Sequence, residues 1–206
     1  MNLAKTIYLL VLFVAFVAIS ILLAFHPVHR LTWWSENITI WIVLAAVVYL
    51  GCRGVVLSSL AYSIIFAGCV SHIVGGFYTF QLVPLGDMVS QMAGWERNHY
   101  DHFGHFLCGC FAFPMLEIIR RKIKNLSLMI SSVFAFALMM SVAALYEIWE
   151  WLTIYITEQQ THLTYVGAQG DEWDAQMDML ACMLGAIFSL LLYRLVCSKN
   201  VKLTSE

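Results

Sequence analysis

The stretch Leu126–Trp151, reading LSLMISSVFAFALMMSVAALYEIWEW, decides the fold of this chain. From Leu126 to Tyr146 no side chain carries a charge. At about 1.5 Å per residue a helix of that length crosses a hydrocarbon layer of about 30 Å. Charge arrives only at Glu147 and Glu150, interleaved with Trp149 and Trp151, the amphipathic indoles that settle at a membrane–water boundary. One end of this segment therefore combines a bilayer interface with two acids three residues apart, which share a helical face.

Five more apolar runs, at about 5–25, 38–56, 57–77, 103–119 and 174–196, join the one at 126–151. The expectation is an all-α polytopic membrane protein, a bundle of six transmembrane helices that makes residues 1–206 one integral membrane domain. Composition agrees: 61% of the residues are hydrophobic and 12% are charged, against about 25% charged in a soluble domain. Most of the surface must face the lipid bilayer. The first run is longer than a signal core and ends at Phe25-His26-Pro27 without a small-x-small cleavage site, so it reads as a retained helix. Gly51 and Gly54 break the second run from the third, with Arg53 in the turn. No basic stretch is long enough for nucleic acid. The six cysteines lie in or beside apolar runs, where they pack as small hydrophobes.

Basic residues set the expected orientation. With the N-terminus cytoplasmic, the inner segments hold Lys5, Arg53, Arg120, Arg121, Lys122, Lys124, Arg194, Lys199 and Lys202, and the outer segments keep only Arg30 and Arg97. That is a firm positive-inside bias, which places both termini inside. All seven tryptophans fall in outer loops or outer helix ends. The acids sort the same way, because Glu117 and Glu206 alone lie off the outer side, while Glu36, Asp87, Glu96, Glu158 and Glu172 accompany the clusters below. Helices 1 to 3 look almost free of ionisable groups in their cores.

Three outer clusters carry the chemistry. Arg97-Asn98-His99-Tyr100-Asp101-His102-Phe103-Gly104-His105-Phe106 leads into the fourth helix, where Asp101, His102 and His105 can share a face. Tyr146-Glu147-Ile148-Trp149-Glu150 ends the fifth. Gly170-Asp171-Glu172-Trp173-Asp174-Ala175-Gln176-Met177-Asp178 enters the sixth, with Asp171, Asp174 and Asp178 on one stripe. A carboxylate near hydrocarbon costs about 2.5–3.5 kcal/mol at a helix centre and less toward the ends, so these groups are expected to turn inward and meet. Mixed His/Asp/Glu ligation suits a divalent metal such as zinc or manganese better than calcium. Close carboxylates can equally share protons as an acid/base pair. Blander roles stand beside these: helix capping for Asp101 and Asp174, pairing of Arg97 with Asp101 or Glu96, pairing of Glu117 with Arg120 or Arg121, solvated interface positions for Glu150, Asp171 and Glu172, and exposed loop positions for His99 and His162. For Glu147, His105 and Asp178, which lie deepest, the blander role is a structural polar clamp between helices.

Arg97-Asn98-x-Tyr100-Asp101-x-x-x-His105-Phe106, Tyr146-Glu147-x-x-Glu150 and Gly170-Asp171-x-x-Asp174-x-x-x-Asp178 together resemble the YjdF family of bacterial inner-membrane proteins over nearly the whole chain. The resemblance implies a multi-pass topology in the bacterial inner membrane and brings no reaction with it. A weaker similarity is to VanZ-like membrane proteins, which pair an Asp-x-x-x-His-Phe helix start with a later Asp-x-x-x-Asn-x-x-Gly segment. Asp101 to Phe106 fits the first part. Asp178-x-x-x-Cys182-x-x-Gly185 fits the second with cysteine in place of asparagine.

Three functions suit these residues. The first is a membrane-embedded hydrolase or transferase, metal-assisted or acid/base, acting on a lipid or lipid-linked substrate at the periplasmic face. In it Glu147, Glu150 and Asp178 are catalytic, Arg97 and Tyr100 bind substrate, and Asp101, His102, His105, Asp171 and Asp174 hold metal. The second is a non-catalytic accessory or resistance protein whose acids form a structural polar cluster. The third is a transporter of ions or small solutes, disfavoured because the inner half shows no matching polar site and the halves show no inverted repeat.

Overall fold

Among the described residues, 3–157 and 169–201 of a computed structural model, the regular structure is helical throughout. Glu158, His162, Lys202 and Glu206 lie outside the described residues, as do the side chains of Cys197 and Lys199. The helices are α1 (Leu3–Ala24), α2 (Arg30–Cys52), α3 (Ser59–Tyr78), α4 (Pro84–Ala93), α5 (Tyr100–Gly109), α6 (Ala112–Lys122), α7 (Leu128–Thr157) and α8 (Asp174–Val201). Six membrane-crossing lengths result, α5 and α6 together making one of them.

Apolar composition and burial part company in the outermost helix, and the mismatch identifies the solvent. The crossing segment of α1 has the highest mean hydropathy of the six, 3.0, yet only 6% of it is covered by protein. Leu10, Phe13 and Leu22 face outward. A greasy helix with so few of its residues buried in protein is stable only in hydrocarbon. The segment Tyr100–Lys122 is the opposite case, with half of its length covered. It forms the axis of the bundle, packed by α3, α7 and α8, while α1 and α2 lean on α3 from outside.

The axial segment is broken for a local reason. Pro114 lacks a backbone N–H, and its ring clashes with the carbonyl four residues back, that of Cys110. Around it the chain tightens to three-residue bonds, Phe111 N–H to the Cys108 carbonyl (2.9 Å) and Phe113 N–H to that of Cys110 (3.1 Å), before α-type bonding resumes. Just before the break, Gly109 and Gly185 seat α5 directly on the backbone of α8. The Gly109 Cα faces the Cys182 carbonyl and that of Gly185 faces the Phe106 carbonyl, leaving no room for a Cβ on either. Small residues permit this close approach of two membrane helices.

The two ends of the bundle differ in kind. At the end rich in basic residues, Val55, Leu57, Ala61, Phe113, Leu116, Ile119 and Tyr193 form an apolar core. Buried Glu117 accepts the Ser58 N–H (2.8 Å) at the start of α3 and faces the Arg121 guanidinium at 3.4 Å. Gly54 supplies the left-handed turn between α2 and α3 (φ 76°). The opposite end holds the polar clusters.

Two elements depart from the expected runs. Helix α2 begins at Arg30, well before position 38, because its first turns bury a stripe of Thr32, Trp33, Glu36, Asn37 and Ile40 against the bundle. Helix α4 falls outside every apolar run. Pro84 opens it and Gly94, at φ 71°, closes it. Its Leu85, Met88, Val89 and Met92 project away from the protein at i, i+3, i+4 and i+7 spacing, the pattern of a helix lying in the interface plane.

Candidate functional site

Three elements, α5, α7 and α8, supply most of the polar end. The first turns of α5 bring Asp101 and His105, four residues apart, with His102 between them, and the start of α8 brings Asp174 and Asp178. Near the end of its described length α7 adds Tyr146, Glu147 and Glu150. The close crossing at Gly109 and Gly185 draws α5 and α8 together there.

His105 sits at the centre. Its Nε2 is 3.7 Å from Asp101 Oδ1 and 3.9 Å from Asp178 Oδ1, and its Nδ1 is 3.7 Å from Glu147 Oε1. His102 Nε2 is 3.9 Å from the same Asp178 oxygen, while its Nδ1 meets His99 Nδ1 at 2.8 Å. Two groups could hold a metal ion, Asp101, His105 and Asp178 in one and His102, Asp174 and Asp178 in the other, with the candidate ligand atoms of each group within 4.8 Å of one another. Asp178 belongs to both. It is 0% exposed, and neither carboxylate oxygen has a hydrogen-bond partner among the described residues. The inner atoms His102 Nε2 and Glu147 Oε1 are buried and unpaired too.

Glu150 is buried beside them, within electrostatic reach of Asp101, Glu147, Glu36 and Asp178. Arg97 forks between Asp171 (3.0 Å) and Asp174 and is the guanidinium that pairs with this set. Burial and the nearby Arg97 charge hold the His99 imidazole below its usual range, with Asp171 opposing. Glu36, Asp101, Glu147, Glu150, Asp174 and Asp178 thus gather in one cluster, with Arg97 paired to Asp174 at its edge. Two unit charges 4 Å apart repel by about 4 kcal/mol at an effective dielectric of 20, so the six cannot all be ionised without protons or cations among them.

Of the residues singled out from sequence, Asp101, His102, His105, Glu147, Glu150, Asp174 and Asp178 meet in this cluster. Asp171 lies outside both ligand groups, turned to Arg97 and accepting the Trp173 N–H at 2.9 Å. Tyr100 faces away: its hydroxyl donates to the Ser71 carbonyl (3.0 Å), and its ring packs with Phe80 and Val83. Arg97 pairs with Asp171 and Asp174 instead of Asp101 or Glu96, so its guanidinium is engaged within the protein. Asp101 does not cap α5, whose N-cap position is His99 and lacks a side-chain cap bond. Glu117 pairs with Arg121, one of its two expected partners.

The sequence reading put Glu36 on the outer side but gave neither it nor His72 a part in the site. His72 Nε2 is 3.3 Å from Glu36 Oε2, and the Tyr146 hydroxyl donates to the same oxygen. Tyr146 stands edge-on to both His72 and His105, with ring centroids 6.0 and 5.6 Å apart. Helices 2 and 3 therefore do carry ionisable groups to the site. The signal was the spacing of Trp33, Glu36 or Asn37, and Ile40, one buried stripe continuing upstream of the uniform apolar run. Asn98 was quoted in a motif without a role. Its amide donates to the Gln81 and Val83 carbonyls (both 3.0 Å) and to Asp87 (2.8 Å), its Oδ1 accepts the Tyr100 N–H (3.0 Å), and Gly86 leaves the space it fills.

A six-span helical bundle with an acid–histidine cluster at one end defines a multi-pass membrane protein with an ionisable site near one interface. More particularly, the chain belongs to the family described as predicted membrane protein (DUF2238), whose sequence model matches residues 8–199. It is 32% identical over 163 residues to the inner membrane protein YjdF of Escherichia coli (strain K12), covering 79% of this chain and 77% of that protein. No solved structure matches the chain.

Proposed function

We propose that this chain is an inner-membrane enzyme, a metal-assisted hydrolase or transferase acting on a lipid or lipid-linked substrate at the periplasmic face. Location in the inner membrane follows the likeness to YjdF of Escherichia coli, and the side follows the basic bias, with both termini cytoplasmic. One observation carries the reading: Asp178 is wholly enclosed with two unpaired oxygens, facing the ring nitrogens of His102 and His105. Removing an ion from water costs several kcal/mol even after the protein relaxes. A divalent cation repays that cost and also polarises a carbonyl or phosphoryl oxygen or activates a water. Asp101, His102, His105, Asp174 and Asp178 hold the metal in this reading, and Glu147 and Glu150 handle protons. Arg97 orients Asp174, and Tyr100 takes a packing role.

The transport alternative gains Glu36 and His72 but still meets the apolar core that closes the basic end. Elemental analysis of detergent-purified protein tests the proposal. Wild-type protein is expected to retain zinc or manganese, and Asp178→Ala to lose at least tenfold of it while eluting as folded protein. Equal metal content in the two proteins overturns the reading.

A further inference from the structure

We infer that the polar end of the bundle is built for two divalent cations, with the Asp178 carboxylate bridging them. The inference rests on the metal-dependent reading above and adds the number and arrangement of the ions.

Each of the two ligand groups supplies one imidazole and two carboxylates: Asp101, His105 and Asp178, or His102, Asp174 and Asp178. That donor set suits manganese, iron or zinc. The groups share one residue, which has two oxygens, and both oxygens are enclosed and unpaired. Both imidazoles face its Oδ1 at 3.9 Å, so that oxygen stands between the two groups, and an unmade bond to a buried charged group is costly. The charge balance points the same way. Asp101, Glu147, Glu150, Asp174 and Asp178 crowd together with Arg97 paired to Asp174, and two divalent ions relieve more of their mutual repulsion than one does.

The imidazoles are arranged to offer the correct nitrogen. A ligating histidine ordinarily donates its other ring N–H to a fixed acceptor. His102 meets His99 through Nδ1 at 2.8 Å, which leaves its buried Nε2 turned toward Asp178 and without a hydrogen-bond partner. His105 turns Nδ1 to Glu147 and Nε2 to Asp101 and Asp178. The Arg97 guanidinium holds an Asp174 oxygen. It fixes that ligand's orientation and also opposes a cation nearby, so the ion in the His102 group is the weaker bound.

The test uses full-length protein in detergent, stripped by chelator and dialysed against Mn2+. Elemental analysis is expected to find two ions per chain, one for each ligand group, filling in separate steps. The electron paramagnetic resonance spectrum is expected to be that of an exchange-coupled pair. His102→Ala and His105→Ala, each removing one group, are each expected to leave a single ion with an isolated-ion spectrum. Asp178→Ala is expected to abolish the coupling. One ion in the unsubstituted protein overturns the pair while leaving the metal-dependent reading intact. Two ions with uncoupled spectra overturn the bridge. No Mn2+, with no Zn2+ bound under the same conditions, overturns both readings. The unsubstituted protein alone decides among these outcomes, so a variant that fails to fold does not blunt the test.

Discussion

Tyr146 shows how a single side chain separates packing from ligation at this site. Its ring stands between His72 and His105, yet its hydroxyl donates to Glu36, which belongs to neither ligand group. Hydrogen bonds to charged groups contribute about 1.5–3 kcal/mol, so Tyr146→Phe is expected to destabilise the protein by about that amount. Unfolding in detergent, followed by circular dichroism, measures the loss, and elemental analysis of the same sample is expected to show unchanged metal. A fall in metal equal to that of Asp178→Ala would make Tyr146 part of the centre. Asn98 is the other residue with many partners. Asn98→Ala strands the Gln81 and Val83 carbonyls and the Tyr100 N–H, and at about 1–3 kcal/mol for each buried group left unsatisfied its unfolding midpoint should fall well below that of Tyr146→Phe. Both residues were visible in the sequence, but only as members of motifs. A polar side chain whose partners lie on distant helices announces no role by spacing, whereas Asp101 and His105 do, because their partnership is local.

At the level of the helices, the legible features were those written in a uniform apolar run. The stretch from Leu126 to Tyr146 announces its helix without help from any neighbour. The start of α2 was hidden because Glu36 and Asn37 read as polar loop, and only the bundle that covers them makes them interior. Helix α4 was hidden by its length and by its orientation, since its apolar side turns away from the protein. The Pro114 break could have been anticipated from the missing N–H. The crossing of α5 on α8 could not, because Gly109 and Gly185 lie far apart in sequence and acquire meaning only when their backbones touch. That crossing sets the distance between the two ligand-bearing helix starts. Gly185→Val would place a branched side chain against the Phe106 carbonyl, and overpacking of this kind costs about 1–3 kcal/mol or more. The expected outcome is a lower unfolding midpoint together with weaker Mn2+ retention, although residue 185 touches no ligand. Gly51→Ala is the control: open space surrounds Gly51, so both quantities should stay at the wild-type value.

Across the whole molecule, charge and water preference are distributed along a single axis. Most basic side chains, Glu117 and the apolar core of Val55, Leu57 and Phe113 occupy one end, while the acid–histidine cluster, Arg97 and the indoles of Trp95, Trp149, Trp151 and Trp173 occupy the other. Translocating a basic segment is disfavoured, so the first end is expected in the cytoplasm and the acid cluster toward the periplasm. Native Cys52 makes this directly measurable, because it is exposed at the basic end, next to Arg53. Gln91 is exposed on α4 at the opposite end. A membrane-impermeant maleimide is expected to label Cys52 in inverted vesicles and leave it untouched in intact spheroplasts. Gln91→Cys, built on a Cys52→Ser background, is expected to give the reverse. Labelling of Cys52 from outside would turn the bundle over and place the acid cluster on the cytoplasmic side. Any substrate would then have to come from the inner leaflet, while the ligand groups around Asp178 would keep their geometry and their claim on metal.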